Sequence, residues 1–391
     1  MMPHAVPRIS LDTLLEAARV NRPPLGRWAA SLVQKLAHID ASQRNWLDIA
    51  GVMNNASLIE VFRGRPQEAW ELCELQLRWA ERVVQEHGPV GAELMLQPWI
   101  NQARLLRIQG EGARARQRFA FLPDVLTGRT IRIGTLTFDA TTFRALLDER
   151  NLWGFLRSVY VVDSTKTYLL AGDSAAAVSF LREAAGMIGG ASFALFDEME
   201  LISLVKLGRH REAMEVTERS TWQVDGYTKM VRVTYRIALL SALGSQEAAR
   251  GLAEQLAERV LAGRFEAPKD QRVLRYLHHF GELACHLELD ALAVRVFQLG
   301  LAASRHLVDV PLELSFLESL LALVRVADRD VLSADRDTLL RECLYVTLLK
   351  PRGLEVDMLT AADPVFHALR GKIEEVTRVC ATHPMIEARA A

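Results

Sequence analysis

The stretch YLLAGDSAAAVSFLREAAG, residues Tyr168–Gly186, places a glycine inside a run of good helix formers. A second stretch, LVKLGRHREAMEVTERS at 204–220, repeats the layout: Gly172 and Gly208 follow apolar residues, and an alanine comes five positions later in both. Glycine adopts a left-handed backbone conformation without a side-chain clash, so it suits the tight turn between two antiparallel helices. We therefore interpret Gly172 as the end of one helix and the point where the chain reverses.

The same pattern recurs along the chain: a glycine, an alanine five residues later and a packing residue four positions after that. The copies are Gly64 with Ala69 and Cys73, Gly110 with Ala115 and Phe119, Gly172 with Ala177 and Leu181, Gly208 with Ala213 and Thr217, Gly244 with Ala249 and Ala253, and Glu288 with Ala293 and Phe297. Alanine permits close approach of two helices, and Phe119 and Phe297 are placed to fill the layer between one hairpin and the next. Repetition at intervals of about 20 to 50 residues predicts stacked units instead of one globular core.

The distances between turn positions indicate where the repeats are interrupted. Gly172, Gly208 and Gly244 follow one another at intervals of 36 residues, whereas 62 residues separate Gly110 from Gly172. The longer interval contains residues 122–150, where β-branched and aromatic residues surround a glycine. We predict an irregular or hairpin insertion there that projects from the stack.

The clearest single copy lies around a tryptophan. It consists of Trp99, Gln102, Ala103 and Leu106, followed by Gly110, Ala115 and Phe119. In these residues the chain resembles the tetratricopeptide repeat, a helix-turn-helix unit of about 34 residues with a W-x2-L-G-x2-Y first helix and an A-x3-F second helix. The resemblance covers residues 45–305 and implies an all-α fold, an α-solenoid of antiparallel helix hairpins in a right-handed superhelix. Residues 1–44 are then an N-terminal helical segment, and residues 306–391 are helical pairs that cap the stack.

Composition restricts the classes of function. Half of the 391 residues are hydrophobic and the formal net charge is −1, so the chain lacks the basic excess of a bulk nucleic-acid binder. Its four cysteines are far apart and form no CxxC pair, as expected of reduced thiols. The N-terminus lacks the basic start and apolar core of a signal peptide, and no apolar run is long enough to cross a bilayer. We expect a soluble cytoplasmic protein that does not contact a membrane.

Residues Leu14–Leu32, LLEAARVNRPPLGRWAASL, resemble the helix-turn-helix phrase of bacterial repressors. Peptide-sensing regulators built from helical repeats carry such a module ahead of the repeats. Here Arg19 occupies the turn position where glycine is usual, and Pro23 and Pro24 lie at the start of the reading helix. A DNA-binding regulator is therefore only a second alternative, and nucleic acid is not expected as a partner.

The tetratricopeptide resemblance also implies which residues line a concave groove, at about 2, 3, 6, 9 and 10 positions before each turn residue. It selects Ile100, Asn101, Arg104, Arg107 and Ile108; Val162, Asp163, Lys166, Leu169 and Leu170; and Glu198, Met199, Ile202, Val205 and Lys206. Asn101, Arg104 and Arg107 form a donor-rich patch that can bind a carboxylate in bidentate fashion, and Lys166 adds a cation. The alternative is a solvated arginine face without a ligand.

The same rule applied to Glu288 selects residues of LHHFGELACHLELD, namely His278, His279, Glu282, Cys285 and His286. His278, Glu282 and His286 follow one another at i+4 steps and so share one helix face. Imidazoles and a carboxylate suit Zn or Fe, so a metal site at these three residues is one interpretation. The interpretation we favour is a polar groove face, or histidines hydrogen-bonded between helices, with no cofactor.

The sequence as a whole favours binding over catalysis. Neither GxxxxGK[ST] nor GxGxxG is present, and no GxSxG nucleophile elbow occurs. We predict a scaffold that binds a protein or peptide in its groove as an adaptor, chaperone-like factor or regulator. A metal- or small-molecule-binding repeat protein with a site around His278, Glu282 and His286, and with enzymatic activity left open, is the first alternative. The apolar segment 311–350 is a candidate surface for a homodimer.

Overall fold

The computed structural model describes residues 25–38, 46–62, 65–88, 92–188, 194–219, 221, 226–262, 271–307, 310–326 and 368–375. Nearly all of these residues are helical, so the all-α fold predicted from the sequence is confirmed. The chain divides into two compact units. Of the described residues, those from 25 to 188 together with 368–375 form the first unit, and those from 194 to 326 form the second. The division thus falls within residues 45–305, the span predicted as one array of repeats.

The first unit contains helical hairpins and one small β-hairpin. Its elements are α1 (Leu25–His38), α2 (Trp46–Phe62), α3 (Pro66–His87), α4 (Ala92–Ile108), α5 (Gly112–Phe119), α6 (Phe121–Thr127), β1 (Ile131–Ile133), β2 (Leu136–Phe138), α7 (Ala140–Glu149), α8 (Trp153–Ser158), a π-helical turn (Val159–Asp163), α9 (Ser164–Leu170) and α10 (Ser174–Met187). Residues 368–375 form one further helix of this unit. The backbone stays helical from α8 through the π-helical turn into α9, so these three elements form one continuous rod.

The second unit is a series of antiparallel helices. They are α11 (Ala194–Lys206), α12 (His210–Thr217), α13 (Gly226–Ala242), α14 (Gln246–Leu261), α15 (Gln271–His286), α16 (Asp290–Leu307) and α17 (Val310–Val326). Most consecutive helices of this series pack on one another, namely α11 to α14 in sequence and α15 to α17 in sequence, as in an α-solenoid.

The predicted turn positions have the backbone conformation that the pattern requires. At Gly110, Gly172, Gly208, Gly244 and Glu288 the φ angle lies between 59° and 82°. At each, the N–H of the turn residue donates to the carbonyl three residues earlier, and the next N–H donates to the carbonyl five residues before it. This double pairing satisfies carbonyls left over at the helix end and reverses the chain. The interpretation of these positions as hairpin corners is confirmed.

The alanines of the pattern lie where two helices are closest. Ala69, Ala115, Ala177, Ala213, Ala249 and Ala293 are all fully buried. Each also donates its N–H to the carbonyl four residues earlier, which closes the first turn of the second helix. The packing residues one turn later are buried too, and Phe297 contacts Phe316 of the next helix as expected.

The insertion is a two-stranded antiparallel hairpin in which Ile131 pairs with Phe138. The predicted hairpin is therefore present, but the expectation that it projects from the stack is wrong. Ile131 and Ile133 are buried, β1 packs against α4, and Thr135 donates a hydrogen bond to Glu81 of α3. The apolar side chains alternate along β1, so one face of the hairpin must be covered by a neighbouring element.

Alternate helices of the second unit also contact each other. The first helices of its hairpins lie in one layer, where α13 contacts α15 and α15 contacts α17. The second helices lie in another layer, where α14 contacts α16. In the first unit α2 similarly contacts α4. We call the two layers of the second unit the first-helix layer and the second-helix layer.

Several predictions fall outside the described residues. They include the turn at Gly64, most of the repressor-like segment 14–32, Cys343 and Cys380, and residues 333–350 of the candidate dimer surface. Of the predicted capping helical pairs at 306–391, residues 306, 307, 310–326 and 368–375 are described and are helical.

Candidate functional site

The strongest concentration of ligand-type side chains in the described part of the chain lies on α15. One ring nitrogen each of His278 and His279 and one carboxylate oxygen of Glu282 all lie within 4.8 Å of one another. Glu282 Oε2 is 3.0 Å from His279 Nδ1 and 3.6 Å from His278 Nδ1. We call these three residues the histidine cluster.

A neighbouring helix fixes the ring of His278. Its Nε2 lies 3.2 Å from the backbone oxygen of Ser315 and 3.0 Å from Oγ of Ser319, both on α17. A carbonyl oxygen only accepts hydrogen bonds, so the neutral ring carries its proton on Nε2. The Nδ1 atom then presents its lone pair toward Glu282.

Two phenyl rings enclose the same imidazole. Phe297 of α16 and Phe316 of α17 have ring centroids 5.8 Å and 5.3 Å from that of His278. Each phenyl ring lies against a glycine, because a Cβ on Gly281 would be 2.3 Å from Phe297 and one on Gly300 would be 2.1 Å from Phe316. These two glycines let the three helices approach closely enough for the rings to hold His278 in one orientation.

Burial sets the protonation of the groups around the cluster. It lowers the pKa of His278, more strongly than the Glu282 carboxylate raises it, so the neutral ring is favoured. Burial also raises the pKa of the Cys285 thiol to about 12, with the nearby Asp290 and Glu282 charges adding to the effect. Cys285 is therefore a protonated thiol and a poor metal ligand at neutral pH.

The structure changes the membership of the predicted metal set. His278 and Glu282 lie together as predicted, but the third member is His279, not His286. His286 is exposed near the C-terminal end of α15 and lies outside the cluster. The i+4 spacing places His286 on the same face of α15, one turn beyond Glu282.

The donor-rich patch of the first unit is bonded to a carboxylate of the same chain. Arg104 donates from Nη2 to Asp163 Oδ2 at 2.7 Å, and Arg107 donates from Nη1 to Asp163 Oδ1 at 2.7 Å. Asn101 is buried and accepts from Arg104 at 3.2 Å while donating to Asn54 at 2.6 Å. We call Asn101, Arg104, Arg107 and Asp163 the aspartate cluster.

The π-helical turn positions the carboxylate of this cluster. Asp163 is the last residue of the turn, and its backbone oxygen accepts from Arg107 and from the Thr167 hydroxyl. Burial alone would raise the pKa of Asp163, but the guanidiniums of Arg104 and Arg107 hold it well below its usual range. The aspartate is therefore ionised at neutral pH. Lys166, the remaining predicted groove residue, lies half-buried on α9.

Some contacts of the two clusters were not predicted. The sequence rule did select Asp163, but as a groove residue and not as the partner of Arg104 and Arg107. It did not select Ser315, Ser319 or Phe316, which hold His278 from α17. The sequence did carry a signal for these contacts. Gly281 and Gly300 lie inside helices at positions where no turn is needed, which indicates close approach of another side chain.

No protein-family model matches the chain, and no curated protein is significantly similar to it. Among the described helices, none has both the length and the apolar content needed to cross a membrane.

Proposed function

We propose that the protein is a helical-repeat scaffold that binds a protein or peptide partner along the first-helix layer of the second unit. The observation that supports it most directly is the contact between alternate helices, which aligns α13, α15 and α17 side by side. Helices aligned in this way offer a continuous surface that suits an extended ligand.

The two layers differ in what they expose. On the second-helix layer, α14 and α16 present exposed polar residues such as Glu254, Gln255, Arg295 and Gln298, typical of a solvent face. On α15 of the first-helix layer, arginine, histidine, glutamate and cysteine side chains are half-buried instead. A half-buried mixture of charged and apolar atoms favours ligand contact because less water has to be removed from it on binding.

The aspartate cluster is a poor candidate for the contact surface. A ligand carboxylate at Arg104 and Arg107 would have to displace Asp163 and leave its buried charge without a partner. Such a loss costs several kcal/mol, on the order of 3–5. We therefore assign Arg104 and Arg107 to the structure of the first unit and place ligand contact in the second unit.

Site-specific photocrosslinking tests the proposal. A photoreactive amino acid is introduced at His286 or Lys229, both exposed on first helices, and at Gln255 or Gln298, both exposed on second helices. The purified variants are returned to cell extract and irradiated, and the adducts are identified by mass spectrometry. We expect the same partner from both first-helix positions and from neither second-helix position. Adducts confined to the second-helix positions, or none at any position, would refute it.

A further inference from the structure

We propose that His278, His279 and Glu282 bind one divalent transition-metal ion through two imidazole nitrogens and one carboxylate oxygen. The three protein ligands come from one helix of the chain itself, so binding of the ion does not require the partner. The ion is of the class of Zn²⁺, Co²⁺, Ni²⁺ or Fe²⁺, because imidazole donors favour these over Mg²⁺ and Ca²⁺, which prefer oxygen ligands throughout.

The distances between the donor atoms match those around a metal ion. Zinc–nitrogen bonds of about 2.0 Å in tetrahedral geometry place neighbouring ligands about 3.3 Å apart. The observed separations of 3.0 Å between Glu282 Oε2 and His279 Nδ1 and 3.6 Å between Glu282 Oε2 and His278 Nδ1 bracket this value. These two separations need to change by only a few tenths of an ångström to suit an ion, and the third, between the two imidazole nitrogens, is within 4.8 Å.

The hydrogen bond on the far side of His278 is an independent indication. A metal-binding histidine generally donates its second ring N–H to a carbonyl or carboxylate, which fixes both the tautomer and the ring orientation. His278 Nε2 has this partner in the Ser315 backbone oxygen, with Ser319 Oγ beside it. The phenyl rings of Phe297 and Phe316 supply the apolar surroundings that such sites usually have.

Without an ion, two hydrogen-bond acceptors of the histidine cluster face each other. The lone pair on His278 Nδ1 and the carboxylate of Glu282 are both acceptors, yet they lie 3.6 Å apart. A single proton on His279 Nδ1 can be shared with Glu282 but does not reach His278 in this geometry. A cation between the three atoms satisfies all of them at once, and three protein ligands leave a fourth position open for water.

The test uses the full-length chain expressed without an affinity tag, stripped with a chelator and titrated with Zn²⁺ by calorimetry. We expect one ion per chain, and no binding of Mg²⁺. Glu282→Gln is isosteric and removes one ligand, and His279→Ala removes another. Each should weaken Zn²⁺ binding by more than the roughly 10–100-fold that loss of a supporting hydrogen bond causes.

Two matched control variants test whether Zn²⁺ binding depends on the histidine cluster specifically. His286→Ala removes an exposed histidine of the same helix, and Glu254→Gln neutralises an exposed carboxylate on α14. Both should leave the Zn²⁺ affinity unchanged, while circular dichroism confirms that every variant keeps its helical content. The proposal is overturned if the chain binds no stoichiometric Zn²⁺, if none of the variants alters binding, or if His286→Ala weakens it and His279→Ala does not.

Discussion

In the first unit a buried carboxylate is bonded by two guanidiniums, whereas in the second unit a half-exposed carboxylate lies against two imidazole nitrogens. Both clusters bring an acid and two nitrogen-bearing side chains together at distances of about 3 Å. In the aspartate cluster both donors carry a permanent positive charge, so no ligand is needed. In the histidine cluster the nitrogens are acceptors or weak donors, which is why we propose a cation there. The protonation of the bases separates a structural contact from a candidate site.

The largest effect is expected from removing the carboxylate of the aspartate cluster. Asp163→Ala leaves two guanidiniums near each other without their counter-ion and should lower the free energy of unfolding by about 3–4 kcal/mol. We place the expected loss of stability in the lower part of the range for a broken buried ion pair, because Arg104 remains 29% exposed and water screens part of the repulsion. Urea denaturation followed by circular dichroism measures the loss.

Asp173→Ala is the matched control for this change. Asp173 is an exposed aspartate of the same unit that caps α10 by accepting from the Ala176 N–H at 2.9 Å. Its removal should cost about 1 kcal/mol. An Asp163→Ala variant no less stable than Asp173→Ala would show that the aspartate cluster does not stabilise the first unit.

The next effect concerns the aromatic enclosure of the histidine cluster. A methyl group at position 300 would lie 2.1 Å from the Phe316 ring, so Gly300→Ala should force α16 and α17 apart. We expect a loss of about 2–3 kcal/mol in unfolding free energy, and weaker Zn²⁺ binding because Phe316 and Ser319 share α17.

The control is Gly251→Ala on α14, where nothing lies within 4 Å of the added carbon. That variant should be up to about 1 kcal/mol more stable than the parent. Equal stability of the two variants would contradict the close packing at Gly300.

The response of the aspartate cluster to acid sharpens the comparison. The pKa of Asp163 is lowered in the folded state, so the unfolded chain takes up the proton first as the pH falls. Its contribution is therefore fully present above the unfolded pKa, near 3.9, and is lost only as the pH falls through the folded pKa. The stability gap between the parent and Asp163→Asn should stay constant from pH 8 to about 5 and narrow by on the order of 2 kcal/mol in stronger acid. A gap that narrows between pH 7 and 5 would show that the two arginines do not control this carboxylate.

Local features of the fold could be predicted because they depend on residues close in sequence. A helix that ends in a left-handed turn favours glycine at the turn position. The alanine five residues later belongs to the first turn of the next helix, so it depends on the same short stretch of sequence. The pattern held even at Glu288, where the glycine is absent but the neighbouring residues are those of the other turns. The strands around Gly134 were likewise visible in their β-branched residues.

The carboxylate partner of Arg104 and Arg107 could not be predicted, because it depends on how distant helices align. Arg104 and Asp163 are 59 residues apart, and the π-helical turn that brings Asp163 toward α4 leaves no clear mark in the residues Val159–Asp163. On α15, helical periodicity places His279 and His286 on nearly the same face. Glu282 is three residues from His279 and four from His286, and the structure places its carboxylate 3.0 Å from His279 Nδ1.

The smallest effect concerns the turns that end the helices carrying the two clusters. The helix bearing Asp163 ends at Gly172 with φ 76°, whereas α15 ends at Glu288 with φ 59°, a conformation that is strained for any residue with a Cβ. Glu288→Gly should therefore raise the free energy of unfolding by about 0.5–1 kcal/mol, since the exposed ion pair of Glu288 with Arg250 contributes little.

Glu288→Ala is its control, because it removes the ion pair and keeps the strain, and it should be slightly less stable than the parent. The reciprocal change Gly172→Ala should cost about 1 kcal/mol in the first unit. If Glu288→Gly is instead destabilising, the ion pair with Arg250 outweighs the backbone strain. The turn at Glu288 would then be stabilised by its side chain, whereas the turn at Gly172 is stabilised by its backbone conformation.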